Sequence, residues 1–553
     1  MKNKCSLLVF ALIAVLLIPA CQRETLQNRK TVVLAISSDI NSYSPLYAVN
    51  FNEGMVMQLL YPALVRYEWN YKTGEPERYP MLAEKWSWNS DSSSITFFLR
   101  KDLKWTDGQP VTVKDVVFSF DVYSDPLVQS RFYGSFKSLA VDSSQHIILD
   151  KTFKIINPYE LVINFKKGTV PSFSDIDLPI IPEHMFKGIE RKNYATAEKD
   201  LKPVSDGPFF LEKWIKNQAI YLKAYDKFPF YDKNNVQELI FKIVPDYNSQ
   251  ITQLKNGEVD FVQDVKADDI PGLIKRGNLK VDPIKGRDYD YIGWNNINPV
   301  VYQKTKKFVP NRLFGDPLVR EALAYATDRQ EVVKEFLDNY GQLAVSPIAP
   351  IFTSALDTSL NPISYNPSKA KELLAEAGWK EVNGEGILSK GKTKFSFTLN
   401  IPSGNPRREF AATLFKNNLR AVGIDMKINE SEPGVFFPKM YGREYNAWMA
   451  GWTVAIPILI KPLWYSTMPD GAYNLVSYQN KKIDKIIDRI EDTRSTAEKN
   501  HLYREFQDII YKDQPTTFLY WVDDIIVYNK RIQNVVISPL GPIDNCWEWR
   551  VNP

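Results

Sequence analysis

The N-terminal 21 residues constrain this chain most, because they decide where it folds. Met1–Lys4 is a short basic head, 7–18 is an unbroken apolar run, and Pro19-Ala20-Cys21 follows. A basic head, a short apolar segment and a small residue before the cut are typical of a secretion signal. The apolar run is shorter than the roughly 20 residues needed to cross a bilayer. The sequence therefore predicts that residues 1–20 are removed and that the mature chain folds outside the cytoplasm.

The residue after the predicted cut is a cysteine. Ala20-Cys21 resembles a lipoprotein cleavage box, which predicts acylation of the Cys21 thiol and a polar tether over 21–30. The alternative is an ordinary secretion signal in which Cys21 is incidental. Cys5 would leave with the signal and Cys546 would remain alone, so no disulfide within the mature chain is expected even in an oxidising compartment.

The bulk composition limits the remaining possibilities. Cleavage leaves 533 of 553 residues (553 − 20), enough for two to four domains at roughly 100–200 residues each. Loss of Lys2 and Lys4 lowers the net charge from +4 to +2, which argues against nucleic acid as a partner. The three histidines, His146, His184 and His501, are far apart, so no metal site and no cofactor are expected.

Hydrophobic periodicity predicts a mixed α/β chain. Thr31–Ile36 is a short apolar run typical of a buried strand. Thr112, with an acid three residues later, forms a capping box that opens a helix. Two amphipathic segments, 481–492 and 496–511, are predicted helices, and the aromatic run Thr517–Tyr528 is a predicted strand.

One segment matches a phosphate-binding loop letter for letter. Gly386–Thr393 has the required glycines, lysine and threonine, but that chemistry also needs a strand before the loop and a helix after it. Here Lys394–Leu399 alternates as a strand, so the sequence predicts a β-hairpin without nucleotide binding. The chain has neither a G-x-S-x-G elbow nor an H-E-x-x-H helix, and an enzyme is not expected.

Eight segments in chain order carry recognisable motifs. The most specific is Lys104–Ser119, which contains Lys104-Trp105-Thr106-Asp107-Gly108. The others are Tyr61–Val65, Pro80–Trp86, Asp206–Phe209, Leu254–Asp260, Val319–Arg329, Ala370–Gly378 and Gly451-Trp452. Together these segments resemble the solute-binding proteins of peptide-type ABC importers, the dipeptide- and oligopeptide-binding family.

The resemblance implies an α/β fold, namely a two-lobed periplasmic-binding-protein clamshell with an extra α/β domain inserted in lobe I. The implied layout places lobe I at 31–65, 200–290 and 520–553, the inserted domain at 66–199 and lobe II at 291–519. Ligand would be held between the lobes and enclosed by closure about a hinge.

The same resemblance implies a role and partners. The protein is expected to be a monomeric component of the cell envelope, anchored by lipid outside the cytoplasm. It would capture an oligopeptide or a similar solute and deliver it to an ABC permease in the membrane. The alternatives are a sensory binding protein on the same fold, a binding protein for oligosaccharides, and a secreted hydrolase, for which no nucleophile or acid pair is found.

The sequence departs from the family at both anchors for a free dipeptide. Peptide binders of this family typically hold the ligand amino group with an acid shortly after the Gly-Trp pair, but 453–460 contains none. Dipeptide binders carry an arginine for the ligand carboxylate after a lobe II strand, but 401–406 contains none. Arg407 and Arg408 open the next helix, where a solvated helix start is the expected role.

Aromatic and amide side chains near the implied cleft are the candidate ligand contacts. Flat aromatic rings with scattered amides suit peptide backbones and sugar rings alike. For each tryptophan the alternative is packing in the core, and Trp452 is the strongest candidate because the Gly-Trp pair places it. The candidate set is Tyr43, Trp294, Asn295, Trp448, Gly451, Trp452 and Trp464.

The predicted lipid anchor can be tested directly. Cys21→Ser should release the protein from membranes or stall its processing, because the hydroxyl replaces the thiol that would be acylated. Membrane fractionation measures the outcome, with Cys5→Ser as the control, since that cysteine lies in the predicted signal. Unchanged membrane attachment of Cys21→Ser would contradict the anchor.

Overall fold

The computed structural model describes residues 30–552, apart from 198–201, 382–383, 385 and 468–469. The predicted signal, Cys21 and all but the last residue of the predicted tether lie outside the described residues. The strands are β1 (Thr31–Ile36), β2 (Val65–Asn70), β3 (Glu75–Pro80), β4 (Ala83–Trp88), β5 (Ser94–Leu99), β6 (Phe153–Asn157), β7 (Glu160–Asn164), β8 (Phe209–Ile215), β9 (Ala219–Ala224), β10 (Glu238–Ile243), β11 (Phe261–Val262), β12 (Leu279–Trp294), β13 (Gly341–Leu343), β14 (Lys380–Glu381), β15 (Leu388–Lys390), β16 (Thr393–Lys394), β17 (Ser396–Pro402), β18 (Asp425–Ser431), β19 (Ala447–Thr453), β20 (Thr516–Asn529), β21 (Ile532–Gln533) and β22 (Arg550–Val551).

The α-helices of the described residues complete the element order. They are α1 (Phe51–Leu60), α2 (Val113–Ser124), α3 (Leu149–Thr152), α4 (Tyr194–Ala197), α5 (Tyr247–Asn256), α6 (Ile270–Ile274), α7 (Pro299–Thr305), α8 (Pro317–Tyr325), α9 (Arg329–Glu335), α10 (Pro367–Glu376), α11 (Pro406–Ala421), α12 (Pro433–Tyr441), α13 (Lys461–Trp464), α14 (Lys481–Asp492) and α15 (Thr496–Asp513). None of them is both long and apolar enough to pass through a bilayer.

One sheet runs through both lobes, in the order β18-β17-β19-β12-β20-β11-β1-β10-β9-β8, with β13 added beside β20. The long antiparallel strands β12 and β20 connect the lobes. Their register is regular from Leu279 to Ile284, breaks, and resumes at Asp288 opposite Val522. Inside the break a Cβ on Gly286 would lie 1.9 Å from the Val522 carbonyl oxygen, so the strands approach too closely there for any side chain. We refer to 284–288 and 522–524 as the hinge.

The first lobe carries β1 and β8–β11, and the inserted domain carries β2–β7. In the inserted domain β4, β5, β7 and β6 form a four-stranded sheet, and β2 and β3 form a separate hairpin. A single apolar core joins the two parts, because Phe97 and Phe120 of the insert belong to the same buried cluster as Phe209 and Phe241 of the first lobe. The inserted domain is therefore fixed to the first lobe by a shared interior.

The second lobe is a sheet with helices on both faces. β17 lies between β18 and β19 and is parallel to both. Helices α8, α10 and α11 pack on one face, where Met449 is buried. Helices α12, α14 and α15 pack on the other, where the adjacent Trp448 is buried. Burial on both faces explains the near-continuous apolar sequence of β19.

Most elements predicted from local patterns are confirmed. Strand β1 has the predicted bounds, and Asp115 closes the capping box on the Thr112 backbone N–H at 2.8 Å. The phosphate-loop match is a hairpin, with β15 antiparallel to β16. Helix α15 extends to Asp513, beyond the predicted end at 511. The predicted lobe limits at 290/291 and 519/520 fall inside β12 and β20, and the layout of domain boundaries stays a prediction.

A buried ion pair ties the chain ends of the first lobe together. Asp260 accepts hydrogen bonds from Arg531 Nε at 2.8 Å and Nη2 at 2.6 Å, and from the Val33 backbone N–H at 3.0 Å. Arg531 Nη2 also donates to the Thr31 carbonyl at 2.7 Å. One carboxylate thus joins β1, the loop before β11 and the segment after β20.

Removing one partner of this pair should destabilise the protein strongly. Arg531→Met leaves the Asp260 carboxylate buried without a counter-charge, a change that costs about 3–5 kcal/mol. Lys512→Met is the control, because Lys512 pairs with Asp508 one helical turn away at an exposed site, where such pairs contribute less than about 1 kcal/mol. Urea unfolding measures both variants, and equal midpoints would contradict the prediction.

Candidate functional site

A large cavity lies between the inserted domain and the second lobe, with the hinge in its wall. Its volume is about 700 Å³. Tyr67 and Asp177 of the inserted domain, Arg287 of the hinge, and Ile456 and Tyr503 of the second lobe are among its lining residues. Because its walls belong to both lobes, a solute held there contacts both sides of the hinge.

The lining of this interlobe cavity mixes charge with apolar surface. Arg78, Glu491 and Lys499 line it together with Phe352 and the Ile456-Pro457-Ile458 segment. The Ile456–Pro457 peptide bond is cis. Such a surface can bind a solute that carries hydrogen-bonding groups along its length and side chains of different character.

A second cavity adjoins the first within the first lobe and the insert. Its volume is about 520 Å³, and Tyr67, Asp177 and Leu540 line both cavities. Burial raises the pKa of Asp177 to about 6, although the Tyr67 hydroxyl and the charge of Arg78 act to lower it. The Asp177 carboxyl thus lies where the two spaces meet.

An aromatic pocket lies on the second lobe at the end of β19. It is small, with a volume of about 30 Å³, and is lined by Tyr289, Tyr291, Trp452, Trp464 and Tyr473. The ring of Trp452 is half-buried, with its centroid 5.7 Å from that of Tyr473. Of the predicted ligand contacts, Trp452 and Trp464 therefore share one pocket, although Trp464 is only 5% exposed.

Three other predicted contacts lie in the core of the second lobe. Trp294, Asn295 and Trp448 are each 0% exposed. Trp294 Nε1 donates to Thr517 Oγ1 at 2.9 Å, and Asn295 Nδ2 donates to the Tyr445 carbonyl at 3.0 Å. In this conformation these side chains hold the sheet together and offer no surface to a solute, and a binding role for them stays a prediction.

The predicted contact Tyr43 lies in a different part of the molecule. Its ring meets Trp214 edge-on at 6.1 Å, and it lines a small pocket of about 30 Å³ with Met185 and Phe186. None of the residues that line this pocket also lines the interlobe cavity. The structure therefore does not bring Tyr43 together with Trp452.

The close approach of the Arg408 guanidinium requires glycine at position 451. A Cβ at this position would lie 2.4 Å from Arg408 Nη2 and 2.8 Å from Asp290 Oδ1. The glycine of the Gly-Trp pair thus makes room for a charged group behind the strand, while Trp452 points to the opposite face.

The expectation that Arg407 and Arg408 form a solvated helix start is wrong. Arg407 Nε donates to Asp290 Oδ2 at 2.8 Å, and Arg408 Nη2 donates to Asp290 Oδ1 at 2.8 Å. Burial would raise the pKa of Asp290, but the two guanidinium charges lower it below its ordinary value. Asp290 is 117 residues from Arg407, so no local pattern could reveal the pair. Asp290, Arg407 and Arg408 together carry a net charge of +1.

Sequence reasoning also missed most of the interlobe cavity. Arg78, Asp177, Arg287 and Tyr503 come from four separate segments, and none belongs to a recognised motif. They meet only because the hinge strands bring the insert opposite the second lobe. The one available signal was the absence of an acid after Trp452, which indicated that the ligand-contacting charges lie elsewhere.

A sheet shared by two lobes, a hinge in its two longest strands and a cavity between the lobes define a two-lobed solute-binding protein. The chain belongs to the bacterial extracellular solute-binding proteins, family 5, whose middle-region model matches residues 77–474. This match confirms the family predicted from the sequence motifs.

Individual relatives support the same assignment. The oligopeptide-binding protein AppA of Bacillus subtilis is 29% identical over 458 residues, covering 82% of this chain and 79% of that protein. The dipeptide-binding protein of Escherichia coli is 25% identical over 493 residues, covering 85% and 86%. The structure of Bacillus subtilis AppA in complex with a nonapeptide matches with a TM-score of 0.70 at 27% identity, covering 95% of this chain and 99% of that one. The predicted two-lobed fold with an extra domain is confirmed.

The fold extends to more distant structures. NikA from Brucella suis, in complex with Fe(III)-EDTA, matches with a TM-score of 0.76 at 18% identity, over 94% of this chain and 100% of that one. At this identity the likeness concerns the fold alone.

The hinge carboxyl Asp524 should make stability depend on pH. Burial raises the pKa of Asp524 to about 7, and the nearby Asp288 and Asp264 add to the shift, while Arg287 opposes it. Between its unfolded pKa of about 4 and this value the folded protein binds more protons than the unfolded chain. The free energy of unfolding should therefore fall as pH rises from about 4 to 7.

Asp524→Asn should reduce that fall, because the amide cannot ionise. Urea unfolding at several pH values between 4 and 8 measures the slope, with Asp508→Asn on the exposed side of α15 as the control. An unchanged slope in Asp524→Asn would contradict the assignment of the proton uptake to the hinge.

Proposed function

We propose that this protein is the lipid-anchored, extracytoplasmic solute-binding component of an ABC importer, and that it captures oligopeptides between its lobes and delivers them to a membrane permease. The observation that carries the proposal is the interlobe cavity of about 700 Å³, whose lining comes from the insert, the hinge and the second lobe. A ligand can favour the closed state only through contacts that differ between open and closed forms. A cavity with walls on both sides of the hinge supplies such contacts.

Peptides suit this cavity better than small compact solutes. Its volume exceeds that of a single amino acid several-fold, and its lining contains polar groups such as Ser174 and Asn500 as well as apolar ones such as Phe352 and Ile458. Backbone amides of a bound peptide can pair with the polar groups while its side chains occupy the apolar surface. The naming of relatives as oligopeptide- and dipeptide-binding proteins supports the same class of solute.

We infer that the ligand is longer than a free dipeptide. No acid follows Trp452 through residue 460 to receive an amino terminus. Arg407 and Arg408, the arginines nearest to the family position, are each bound to Asp290. A terminus buried without a charge-assisted hydrogen bond loses about 1.5–3 kcal/mol. A longer peptide can keep its termini in solvent and bind through its middle.

In the proposed function the predicted ligand-contact residues have different roles. Trp452 and Trp464 form a side-chain pocket, and Gly451 leaves room for the guanidinium behind them. Trp294, Asn295 and Trp448 support the strand ends from the core. Tyr43 belongs to the first-lobe surface and would contact ligand only if the lobes move relative to this conformation.

An oligosaccharide is the second candidate solute. The aromatic pocket around Trp452 and Tyr473 favours it, because flat rings stack on sugar faces as well as on peptide groups. Mass spectrometry of the solute released on denaturing the purified protein separates the two classes, because peptides and glycans differ in fragmentation.

Calorimetry should show that peptide length decides affinity. A synthetic nonapeptide should bind more tightly than dialanine, and Trp452→Ala should weaken nonapeptide binding by at least about 1 kcal/mol, as loss of an aromatic anchor does. Phe410→Ala is the control, since this ring on α11 is 38% exposed and is not among the lining residues of the cavities described above. Tight binding of dialanine that is insensitive to Trp452→Ala would contradict both the ligand class and the pocket.

A further inference from the structure

The hairpin formed by β2 and β3 belongs to the inserted domain but lies against the second lobe. Trp69 of β2 is only 8% exposed, and its ring meets Phe352 edge-on with centroids 5.9 Å apart. Trp69 is part of the same buried apolar cluster as Ile348, Phe436 and Ile483 of the second lobe. An aromatic side chain of one structural part thus completes the core of another.

The turn of this hairpin touches second-lobe backbone directly. The amide N–H of Ser354 donates to the Thr73 carbonyl at 3.2 Å, and Thr353 Oγ1 donates to the Lys72 carbonyl at 3.0 Å. Gly74 has φ +67, and a Cβ there would lie 2.3 Å from the Thr353 nitrogen and 2.4 Å from the Ile351 oxygen. The two backbones can meet at this distance only because residue 74 is glycine.

Further polar contacts extend the same interface. Asn500 Nδ2 donates to Glu75 Oε1 at 3.3 Å. Arg494 Nη1 donates to the Asp91 carbonyl at 2.8 Å, on the turn between β4 and β5. On its other side the hairpin is tied to the C-terminal segment of the chain, where Tyr71 Oη donates to the Ile537 carbonyl at 2.7 Å. The hairpin is therefore held by the first lobe and reaches to the second.

Because this contact joins the two lobes away from the hinge, movement of the lobes affects it. The interlobe cavity has Arg287 of the hinge and Thr73–Pro76 of the hairpin turn in one lining. The covalent connection between the lobes is at the hinge, whereas the hairpin contact is non-covalent. Rotation about the hinge moves 351–354 relative to the hairpin, so this contact forms and breaks with the motion.

We propose that the β2–β3 hairpin is a latch that forms on lobe closure and stabilises the closed state through Trp69, Gly74 and residues 351–354. The latch stabilises the closed arrangement of the lobes without binding the solute, because all of its contacts are within the protein. By raising the population of the closed form it raises the apparent affinity for whatever solute the cavity holds. This inference depends on the two-lobed fold and the hinge, and not on the solute being a peptide.

Two variants weaken the latch without entering the core. Gly74→Ala inserts a methyl group into the backbone contact, and Thr353→Ala removes only the hydrogen bond to Lys72. Gly134→Ala is the matched control, because Gly134 has φ +77 but no atom within 4 Å of its Cβ position. It introduces the same left-handed backbone strain without touching another part of the chain. Circular dichroism and thermal melting establish that each variant folds.

Hydrogen exchange of the segment that contains Ser354 reports the latch, since the Ser354 amide is protected only when it donates to Thr73. With the full chain, a saturating synthetic nonapeptide should slow exchange there in wild type and Gly134→Ala. Gly74→Ala should lose most of this protection and bind the nonapeptide about tenfold more weakly, and Thr353→Ala should lie between. When the nonapeptide binds wild type, protection equal with and without it, or unchanged affinity in Gly74→Ala, would overturn the latch.

If the peptide-binding proposal is wrong, the measurements differ from those expected if the latch is wrong. If the nonapeptide does not bind wild type at all, the peptide proposal is contradicted while the latch is judged on the ligand-free protein. There Gly74→Ala should exchange faster at Ser354 than Gly134→Ala and show a larger radius of gyration in small-angle scattering. Equal exchange and equal size in these two variants would overturn the latch independently of the solute.

Discussion

The pairing of β12 with β20 is the interaction on which the rest of the structure depends. These two strands are the longest in the described chain and belong to the sheet of both lobes. Their register shifts between Ile284 and Asp288, where the Val522 carbonyl occupies the space of a side chain on Gly286, and again between Asp290 and Tyr291. The first shift leaves 285–287 without partners in β20 and so concentrates bending in a few residues.

The acidic side chains of this protein differ in how their burial is compensated. Asp260 and Asp290 each lie inside one lobe and are paired with arginine. At the hinge Asp523 is paired with Lys285, whereas burial raises the pKa of the adjacent Asp524 to about 7. Burial likewise raises the pKa of Asp177, at the cavity, to about 6. A carboxyl whose pKa is raised in this way can change protonation near neutral pH.

The interlobe cavity has two kinds of wall. The hinge wall is covalent and always present, while the wall formed by the β2–β3 hairpin depends on contacts around Gly74 and Trp69. A solute enclosed between them contributes to closure, and so does the hairpin. Affinity in such a protein is the sum of direct contacts and the stability of the closed form, which residues remote from the solute can set.

Short-range sequence patterns determined the helices, strands and turns of this protein. The capping box at Thr112 and the hairpin at Gly386–Thr393 could be predicted because each depends on residues a few positions apart. Family motifs added the two-lobed fold and the Gly451-Trp452 pair. Local pattern alone could not separate the buried Trp448 from the half-exposed Trp452, because both are aromatic residues of one strand. Only the family's Gly-Trp pair favoured Trp452.

Only the tertiary structure decided which charges meet and which surfaces form the cavity. Asp290 pairs with Arg407 across 117 positions, and Asp260 pairs with Arg531 across 271. Asp177 faces the second lobe although no motif surrounds it. Short-range patterns fix backbone conformation residue by residue, whereas burial and charge pairing depend on which distant segments share space, and that is settled when the sheet and its hinge assemble.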